Sequence, residues 1–406
     1  MLLRKTVFII TLSLLFIQCK EEEKPVVLKP GIWRGTIKTQ NQSIPFNFNI
    51  IKKGNRIQIS LINGKETLTI DEVSLLEDSL SFNLHIFDAE IKARIVNDSL
   101  KGYYRKNFAN NYSLPFEAVH GKYSPFDRVK NNTTFNGKWE TKFINSEGDQ
   151  QSGIGLFEVS DTSFTGTFLT ATGDYRYLNG YTLQDTMFLY SFDGDHLYKF
   201  RGVKSADTIQ GEFWSGKTGY KTFKAIKNEK IELPDAYSLT YLKKGYDKID
   251  FSFKDLQGNM VSLEDPRYQN KVVLIQILGT WCPNCMDETR FLADWYKKNK
   301  HRGVEIIGLA YERKPDFTYA KTRVQKMKEI MGVDYEVLIA GVSTTESASE
   351  SLPMLNQIIS FPTSITIDKT GTVRKIHTGF NGPATGKYYD EFVREFNLLM
   401  DTLLNE

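Results

Sequence analysis

The sequence predicts a multidomain protein in which two all-β repeats, antiparallel and barrel- or sandwich-like, precede an α/β domain. A chain of 406 residues is too long for one ordinary domain. From Gly31 to about Ile226, apolar and polar residues alternate over short segments that Gly, Asn and Asp turns interrupt, which is typical of antiparallel strands. From Ile249 onward, strand patterns alternate with helical patterns, which indicates a mainly parallel sheet.

Short signatures recur within the β-rich region. Gly31-x-Trp33 recurs as Gly137-x-Trp139, and Asp98-Ser99 recurs as Asp207-Thr208, so the offset drifts only from 106 to 109 residues. A fixed offset of this kind predicts two copies of one unit. The opening Gly-x-Trp resembles the start of lipocalin-like barrels, which implies a meander of antiparallel strands in each copy.

A targeting segment is predicted at the N-terminus. Arg4 and Lys5 form a short basic region, Thr6–Gln18 is apolar, and the apolar run stops at Cys19. A run this short fits a signal peptide better than a membrane span, which needs about 20 residues. The pattern resembles a bacterial lipoprotein signal, although Gln18 replaces the usual small residue, and this implies lipidation of Cys19. An ordinary signal peptide with an incidental cysteine is the alternative.

Composition and charge exclude several function classes. The formal net charge is +3 and no dense Lys/Arg stripe occurs, so a nucleic-acid partner is not expected. The five histidines show no metal-ligand spacing, and a zinc site needs about four ligands, so we predict neither a metal nor a cofactor. With Cys19 assigned to lipid, Cys282 and Cys285 are left as a redox-active dithiol/disulfide pair and not as part of a structural framework.

These patterns divide the chain into six predicted segments. They are a signal peptide (1–18), a linker (19–30), repeat 1 (31–127), repeat 2 (128–228), a second linker (229–248) and the α/β domain (249–406).

Within the α/β domain, a hairpin at Phe251–Leu263 is followed by the continuous apolar run Lys271–Leu278, which predicts a buried central strand. Proline and glycine at favoured terminal positions help to bound the helices. The remaining predicted elements are a helix at Pro283–Asn299, a strand at Val304–Ala310, a helix from Pro315 to Gly332, strands at Tyr335–Ala340, Thr363–Asp368 and Thr372–His377, and a helix at about Tyr388–Leu404. The polar segment Gly341–Ser351 is predicted as a flexible loop insertion near Pro362.

The chemistry of the Cys282/Cys285 pair follows from its place at the start of a helix. Unpaired backbone N–H groups and the helix dipole favour a thiolate there, and such sites lower a cysteine pKa from about 8.5 to between ~3.5 and ~7.5. Pro283 suits the first helical position. Cys282 is predicted as the exposed attacking sulfur, Cys285 as the resolving sulfur, and Trp281 as a shield on one side.

The strand, the C-x-x-C pair, the helix and a later Phe361-Pro362 together resemble the thioredoxin superfamily, over roughly residues 249–406. The resemblance implies that Pro362 is a cis-proline facing the cysteines, with the backbone of Phe361 free to pair with a substrate strand. Gln276 replaces the buried aspartate usual in thioredoxins. Glu288, three residues after Cys285, is typical of the TlpA/ResA group, which implies that it accepts and returns the Cys285 proton. A surface carboxylate is the alternative for Glu288.

Members of the TlpA/ResA group are membrane-tethered thiol–disulfide oxidoreductases of bacterial envelopes. The resemblance therefore implies a disulfide reductase whose partners are protein disulfides and a membrane redox partner that supplies electrons, as in cytochrome c biogenesis. It also implies a lipid anchor and a periplasm-facing location, while the acidic run Glu21–Glu23 leaves cell-surface exposure open. Two alternatives remain. They are a peroxiredoxin-type peroxidase, and a client- or glycan-binding lipoprotein with an auxiliary redox domain.

Overall fold

The structure is a computed structural model that describes residues 27–54, 56–70, 72–84, 86–121 and 130–406. The predicted signal peptide, the lipidation at Cys19 and the boundary near residue 127 lie outside this part of the chain, and the other domain boundaries stay predictions. Within the described part, no helix is both long enough and apolar enough to cross a membrane.

An antiparallel sheet of nine strands, here the open sheet, comes first. Its strands are β1 (Gly31–Thr39), β2 (Gln42–Lys53), β3 (Arg56–Asn63), β4 (Glu66–Ile70), β5 (Val73–Leu76), β6 (Ser79–Asn83), β7 (Ala89–Val96), β8 (Ser99–Lys106) and β9 (Ser113–His120). Their order in the sheet is β4-β3-β2-β1-β9-β8-β7-β6-β5, so β4 and β5 form its two edges. On most of these strands, alternation places about every second side chain in a shared core.

A second antiparallel sheet closes on itself, and we call it the barrel. Its strands are β10 (Gly137–Asn145), β11 (Gln150–Val159), β12 (Phe164–Thr170), β13 (Gly173–Asp174), β14 (Leu178–Leu183), β15 (Thr186–Phe192), β16 (Leu197–Ser205), β17 (Thr208–Ser215) and β18 (Gly219–Lys227). Pairing of β10 with both β11 and β18, and of β11 with β12, completes a ring of eight strands. The two-residue β13 pairs with the end of β12 and forms a short hairpin, Thr170–Asp174.

The prediction of antiparallel, barrel-like β structure before residue 229 is thus confirmed. The two recurring tryptophans have matching environments, since Trp33 and Trp139 are both buried and each indole donates to the carbonyl oxygen four residues earlier. The glycine two residues before each tryptophan adopts a positive φ, 109° at Gly31 and 110° at Gly137, a conformation that glycine adopts at little cost. The aromatic enrichment mainly builds cores, as in the 4.3 Å stack of Phe200 on Phe213.

The C-terminal domain is a seven-stranded mixed sheet with four α-helices. Its strands are β19 (Ser252–Lys254), β20 (Met260–Ser262), β21 (Val272–Leu278), β22 (Val304–Glu312), β23 (Glu336–Val342), β24 (Thr363–Ile367) and β25 (Val373–Thr378), and its helices are α1 (Pro283–Asn299), α2 (Phe317–Met331), α3 (Thr345–Ser351) and α4 (Lys387–Asn405). The strand order is β20-β19-β23-β22-β21-β24-β25. The three central strands β21, β22 and β23 are parallel, and every residue of β21 is buried.

Two details of the prediction are wrong. Helix α2 begins at Phe317 and not at Pro315, because the Asp316 side chain caps it by accepting from the Tyr319 N–H. The segment predicted as a flexible loop contains helix α3, which the Thr344 side chain caps in the same way. Polar composition concealed a capped helix that also buries Ala348.

The open sheet and the barrel share packing. Phe192 and Leu197, at the ends of two barrel strands, belong to the core of the open sheet, and the rings of Phe46 and Phe192 are 4.4 Å apart. Burying apolar side chains across this junction holds the two β units against each other.

Candidate active site

Cys282 and Cys285 form a disulfide at the N-terminus of α1, with Cα atoms 5.2 Å apart. Cys282 is the N-cap residue, and its sulfur accepts a hydrogen bond from the Cys285 N–H at 3.2 Å. Pro283 follows at the first helical position, where a missing N–H leaves no bond unmade. A negative charge on Cys282 would therefore be stabilised by the helix terminus. Cys282 is 6% exposed and Cys285 is fully buried, so Cys282, the predicted attacking residue, is much less exposed than the sequence predicts.

The loop before β24 lies directly against the cysteines. The Phe361–Pro362 peptide bond is cis, as predicted, and the Phe361 carbonyl oxygen lies 3.5 Å from Cys282 Sγ. The rings of Trp281 and Phe361 meet edge to face at 5.4 Å. The Trp281 indole is held by a 2.8 Å bond to the carbonyl of Tyr311. Trp281 thus covers one side of the dithiol.

Glu288 is 1% exposed and lies one helical turn beyond Cys285, which contradicts the surface-carboxylate alternative. The Gln276 amide donates to Glu288 Oε2 at 2.9 Å, and Tyr335 and Thr289 both donate to Gln276 Oε1. Burial raises the pKa of Glu288 to about 7, even though its hydrogen bonds to Gln276 and Ser364 oppose the rise. A carboxyl group with that pKa can exchange a proton near neutral pH.

The raised pKa of Glu288 predicts a pH-dependent stability. Because the folded pKa lies above the ordinary value of 4.5, the stability linked to this group is greatest below pH 4.5 and is lost as the pH rises through about 7. The free energy of unfolding should therefore fall less with pH in Glu288→Gln than in the wild type, by up to about 3 kcal/mol between pH 4.5 and 7.5. Urea unfolding at several pH values would measure this difference. Burial also raises the pKa values of Asp174 and Glu312 to about 7, so part of the slope should remain.

The matched control for that measurement is Glu391→Gln, which changes an exposed carboxylate on α4. Its stability should follow the wild-type pH profile. An unchanged slope in Glu288→Gln would show that Glu288 is ionised throughout this range and would contradict its assignment as a proton acceptor at neutral pH.

Glu312 is a site residue that sequence reasoning missed. It is fully buried at the end of β22 and accepts bonds from the Thr280 N–H at 2.9 Å and from the Thr280 hydroxyl at 2.8 Å. Thr280 is two residues before Cys282, so Glu312 positions the turn that connects β21 to the dithiol. The signal available in the sequence was a carboxylate that directly follows the uncharged run Ile306–Tyr311 of β22.

The barrel reaches the active site through the Thr170–Asp174 hairpin. The side-chain amide of Asn284, between the two cysteines, donates to the Asp174 carbonyl at 3.0 Å. The Ser360 hydroxyl, two residues before the cis-proline, donates to the Thr172 carbonyl at 2.8 Å. Gly173 has a φ of 134°, and a Cβ there would lie 2.8 Å from the Asn284 amide nitrogen. Both active-site loops are therefore fastened to the barrel.

One buried arginine joins all three units. The Arg176 guanidinium, 2% exposed, binds Asp287 of α1 through two bonds of 2.9 Å. It also binds Asp193 of the barrel at 2.9 Å and Glu66 of the open sheet at 2.6 Å. Although burial alone would lower the pKa of Arg176, the carboxylates, Asp287 foremost, hold it well above its usual value. We call Arg176 and these three carboxylates the Arg176 cluster. One of them, Asp287, is two residues after Cys285 in α1.

A cleft of about 520 Å³ lies between the dithiol and the barrel. Trp281, Cys282 and Phe361 line it on the α/β side, and Tyr198 and Phe213 are among the barrel residues that line the other side. In the described part of the chain, no group of three or more His, Cys, Asp or Glu side chains is placed to hold a metal. The cleft thus brings the reactive sulfur next to an aromatic wall.

Comparison with known proteins finds matches over part of this chain. Residues 243–391 match the family model described as Redoxin. Thiol-disulfide oxidoreductase ResA of Geobacillus kaustophilus is 31% identical over 130 residues, which are 32% of this chain and 66% of that protein. ResA of Bacillus cereus is 26% identical over 183 residues, 45% of this chain and 89% of that protein. A solved thioredoxin family thiol:disulfide interchange protein of Chlorobium tepidum is 20% identical with a TM-score of 0.29, covering 40% of this chain and 98% of that one.

The fold and the family match define residues 243–391 as part of a thioredoxin-fold thiol–disulfide oxidoreductase domain. Within that class, the domain is of the TlpA/ResA-like type. The chain spans just under two thirds, 66%, of the Geobacillus relative, and the Redoxin match lies in the C-terminal part of this chain.

Proposed function

We propose that this protein is a lipid-anchored thiol–disulfide oxidoreductase that reduces protein disulfides in the cell envelope. In its reduced form, the Cys282 thiolate attacks a substrate disulfide and forms a mixed disulfide, and one substrate thiolate leaves and takes up a proton. Cys285 then loses its proton to Glu288 and attacks the Cys282 sulfur. The second substrate thiol is released, Cys282 and Cys285 become the disulfide, and two electrons have passed to the substrate.

The observation that carries the proposal is the position of Cys282. Its sulfur caps α1, accepts the Cys285 N–H, and lies 3.5 Å from the backbone carbonyl of Phe361 beside the cleft. This position supports the assignment of Cys282 as a stabilised thiolate, next to a loop before Pro362 with which a substrate chain would pair. Buried Glu288 supplies a proton acceptor one helical turn from Cys285.

The anchor, location and electron donor rest on the N-terminal sequence and on the family resemblance. The apolar run that stops at Cys19 supports lipid attachment to the envelope, and a membrane redox partner would return electrons to the dithiol. Palmitate labelling of the expressed chain should mark the wild type and not Cys19→Ala. Labelling of both would contradict attachment at this residue.

The direction of electron flow is tested by the reduction potential of the Cys282/Cys285 pair. A reductant should have a potential more negative than about −200 mV, in the range of glutaredoxins and thioredoxin, measured by equilibration with glutathione buffers. A value near or above about −120 mV, that of a strong oxidant, would overturn the reductase proposal and leave an oxidase in its place.

The peroxidase alternative is not favoured, because the relatives described above are named thiol-disulfide oxidoreductases. Rapid peroxide consumption that needs Cys282 and not Cys285 would restore it. The binding-lipoprotein alternative depended on exposed aromatic residues in the β region. The largest rings of the β region, including Trp33, Trp139 and Phe168, are buried. The barrel side of the cleft is therefore the aromatic surface next to Cys282.

A further inference from the structure

The barrel side of the cleft has a definite chemical character. Tyr175, Tyr198 and Phe213 form a connected cluster with ring centroids 5.3 to 5.5 Å apart. Phe213 is buried, Tyr175 and Tyr198 are half-buried, and Tyr220 at the rim is exposed. Below them the barrel is filled by further rings, such as Phe143 at 5.6 Å from Tyr175. The cleft therefore ends on a rigid aromatic floor and does not continue into an empty barrel.

The opposite side of the cleft is aromatic as well, with Trp281 and Phe361 flanking Cys282. Polar groups of the barrel lie among the rings, including His196, which stacks on Tyr198 at 4.5 Å, and Lys221. Aromatic faces with a few polar groups are typical of sites that bind apolar side chains while satisfying nearby backbone groups.

The dimensions limit what can enter. A volume of about 520 Å³ is within the range of pockets for small ligands and short peptide segments, roughly 300–1,000 Å³, and is far too small for a folded domain. Cys282 is 6% exposed, and the Ser360 to Thr172 bond ties the barrel to the cis-proline loop on one flank. A substrate cysteine must therefore arrive on a narrow, extended stretch of chain.

We propose that the barrel mouth, by which we mean the side of the cleft lined by Tyr175, Tyr198, Phe213 and Tyr220, is the specificity site of this enzyme. It binds an aromatic side chain next to the cysteine of an extended polypeptide segment whose disulfide reaches Cys282. The inference rests on the proposed function, because the occupant is identified by the exchange reaction that Cys282 performs. Substrates would then be unfolded or locally extended chains with an aromatic residue beside the reactive cysteine, and folded proteins with buried disulfides would be excluded.

The test uses the reduced full chain and two unstructured disulfide-linked peptides of equal length, one with aromatic residues flanking its cysteine and one with alanines. The wild type should reduce the aromatic peptide with a kcat/KM about tenfold higher, as expected for burial and stacking of a ring. Tyr220→Ser and Tyr198→Leu should each lower this preference to within about twofold. Tyr198→Leu keeps an apolar side chain over Phe213, and Tyr220 is at the rim, so at least one variant should fold.

Tyr103→Ser is the matched control, since Tyr103 is also an exposed strand tyrosine, 38% against 41% for Tyr220, but lies in the open sheet. It should keep the wild-type preference. Equal rates for the two peptides in the wild type, or a preference that survives both cleft substitutions, would overturn the inference. Hydroxyethyl disulfide separates this outcome from failure of the proposed function. If that small disulfide is reduced, only the barrel-mouth inference is lost, whereas no reaction with it or with either peptide would refute thiol–disulfide exchange itself.

Discussion

Cys282→Ser is expected to reduce disulfide exchange to the level of the uncatalysed reaction, while Cys285→Ser should stop after one step and accumulate a mixed disulfide. The asymmetry follows from the structure, because only Cys282 is accessible from the cleft and Cys285 is fully buried. Without Cys282 no thiolate meets the substrate, and without Cys285 no second thiolate displaces it. Mass spectrometry of the intact protein after mixing with a disulfide peptide would show the adduct.

The helix terminus also predicts the reactivity of Cys282 in the reduced protein. Its alkylation by iodoacetamide should follow a pKa well below about 8.5, since the Cys285 N–H and the helix dipole stabilise the anion. Cys285 in the Cys282→Ser variant is the internal comparison and should be alkylated slowly at every pH. A stable mixed disulfide between Cys285 and the peptide in that variant, or alkylation of Cys285 as fast as that of Cys282, would reverse the assignment of attacking and resolving residues.

Arg176→Met should be the most destabilising single substitution outside the hydrophobic cores. It would leave Asp287, Asp193 and Glu66 buried within one pocket without their shared cation. Removing one partner from a buried ionic network typically costs about 3–5 kcal/mol. The loss should appear as a lower midpoint of urea unfolding, followed by tryptophan fluorescence.

The matched control is Arg201→Met, which removes an exposed arginine from the barrel together with its 3.3 Å ion pair to Glu212. Exposed pairs contribute about 0–1 kcal/mol, so this variant should unfold close to the wild type. Similar midpoints for Arg176→Met and Arg201→Met would mean that the Arg176 cluster is solvated in solution and does not hold the three units together.

The sequence predicted those parts of the site that are encoded locally. The buried strand, Cys282, Pro283 and helix α1 lie within one short segment, so spacing and helix-terminus chemistry were enough to place them. Pro362 was predicted from its distance along the chain within a known pattern. The burial of Glu288 was less clear from the sequence, because it depends on two residues far from it in the chain. They are Gln276 in β21 and Tyr335 in the loop before β23.

The parts that could not be predicted come from contacts between distant segments. Arg176 is 111 residues from Asp287 and 110 from Glu66 along the chain, and nothing in its neighbours marks it as buried. The Thr170–Asp174 hairpin is an ordinary turn sequence, yet it binds Asn284 and Ser360. For the same reason Cys282 was expected to be exposed, whereas Phe361, 79 residues later in the chain, lies against its sulfur in the structure.

The hydrogen bond between Asn284 and the Thr170–Asp174 hairpin determines which form of the protein is suitable for studying the dithiol. A fragment trimmed to the C-terminal domain would release the dipeptide between the cysteines from the Asp174 carbonyl and would bring Asp287 into water. Its sulfurs would then be flanked by solvent on a side where the intact protein has aromatic rings. If the barrel limits the choice of substrate as proposed, redox constants and substrate ranges obtained from such a fragment would describe a more permissive catalyst than the intact chain.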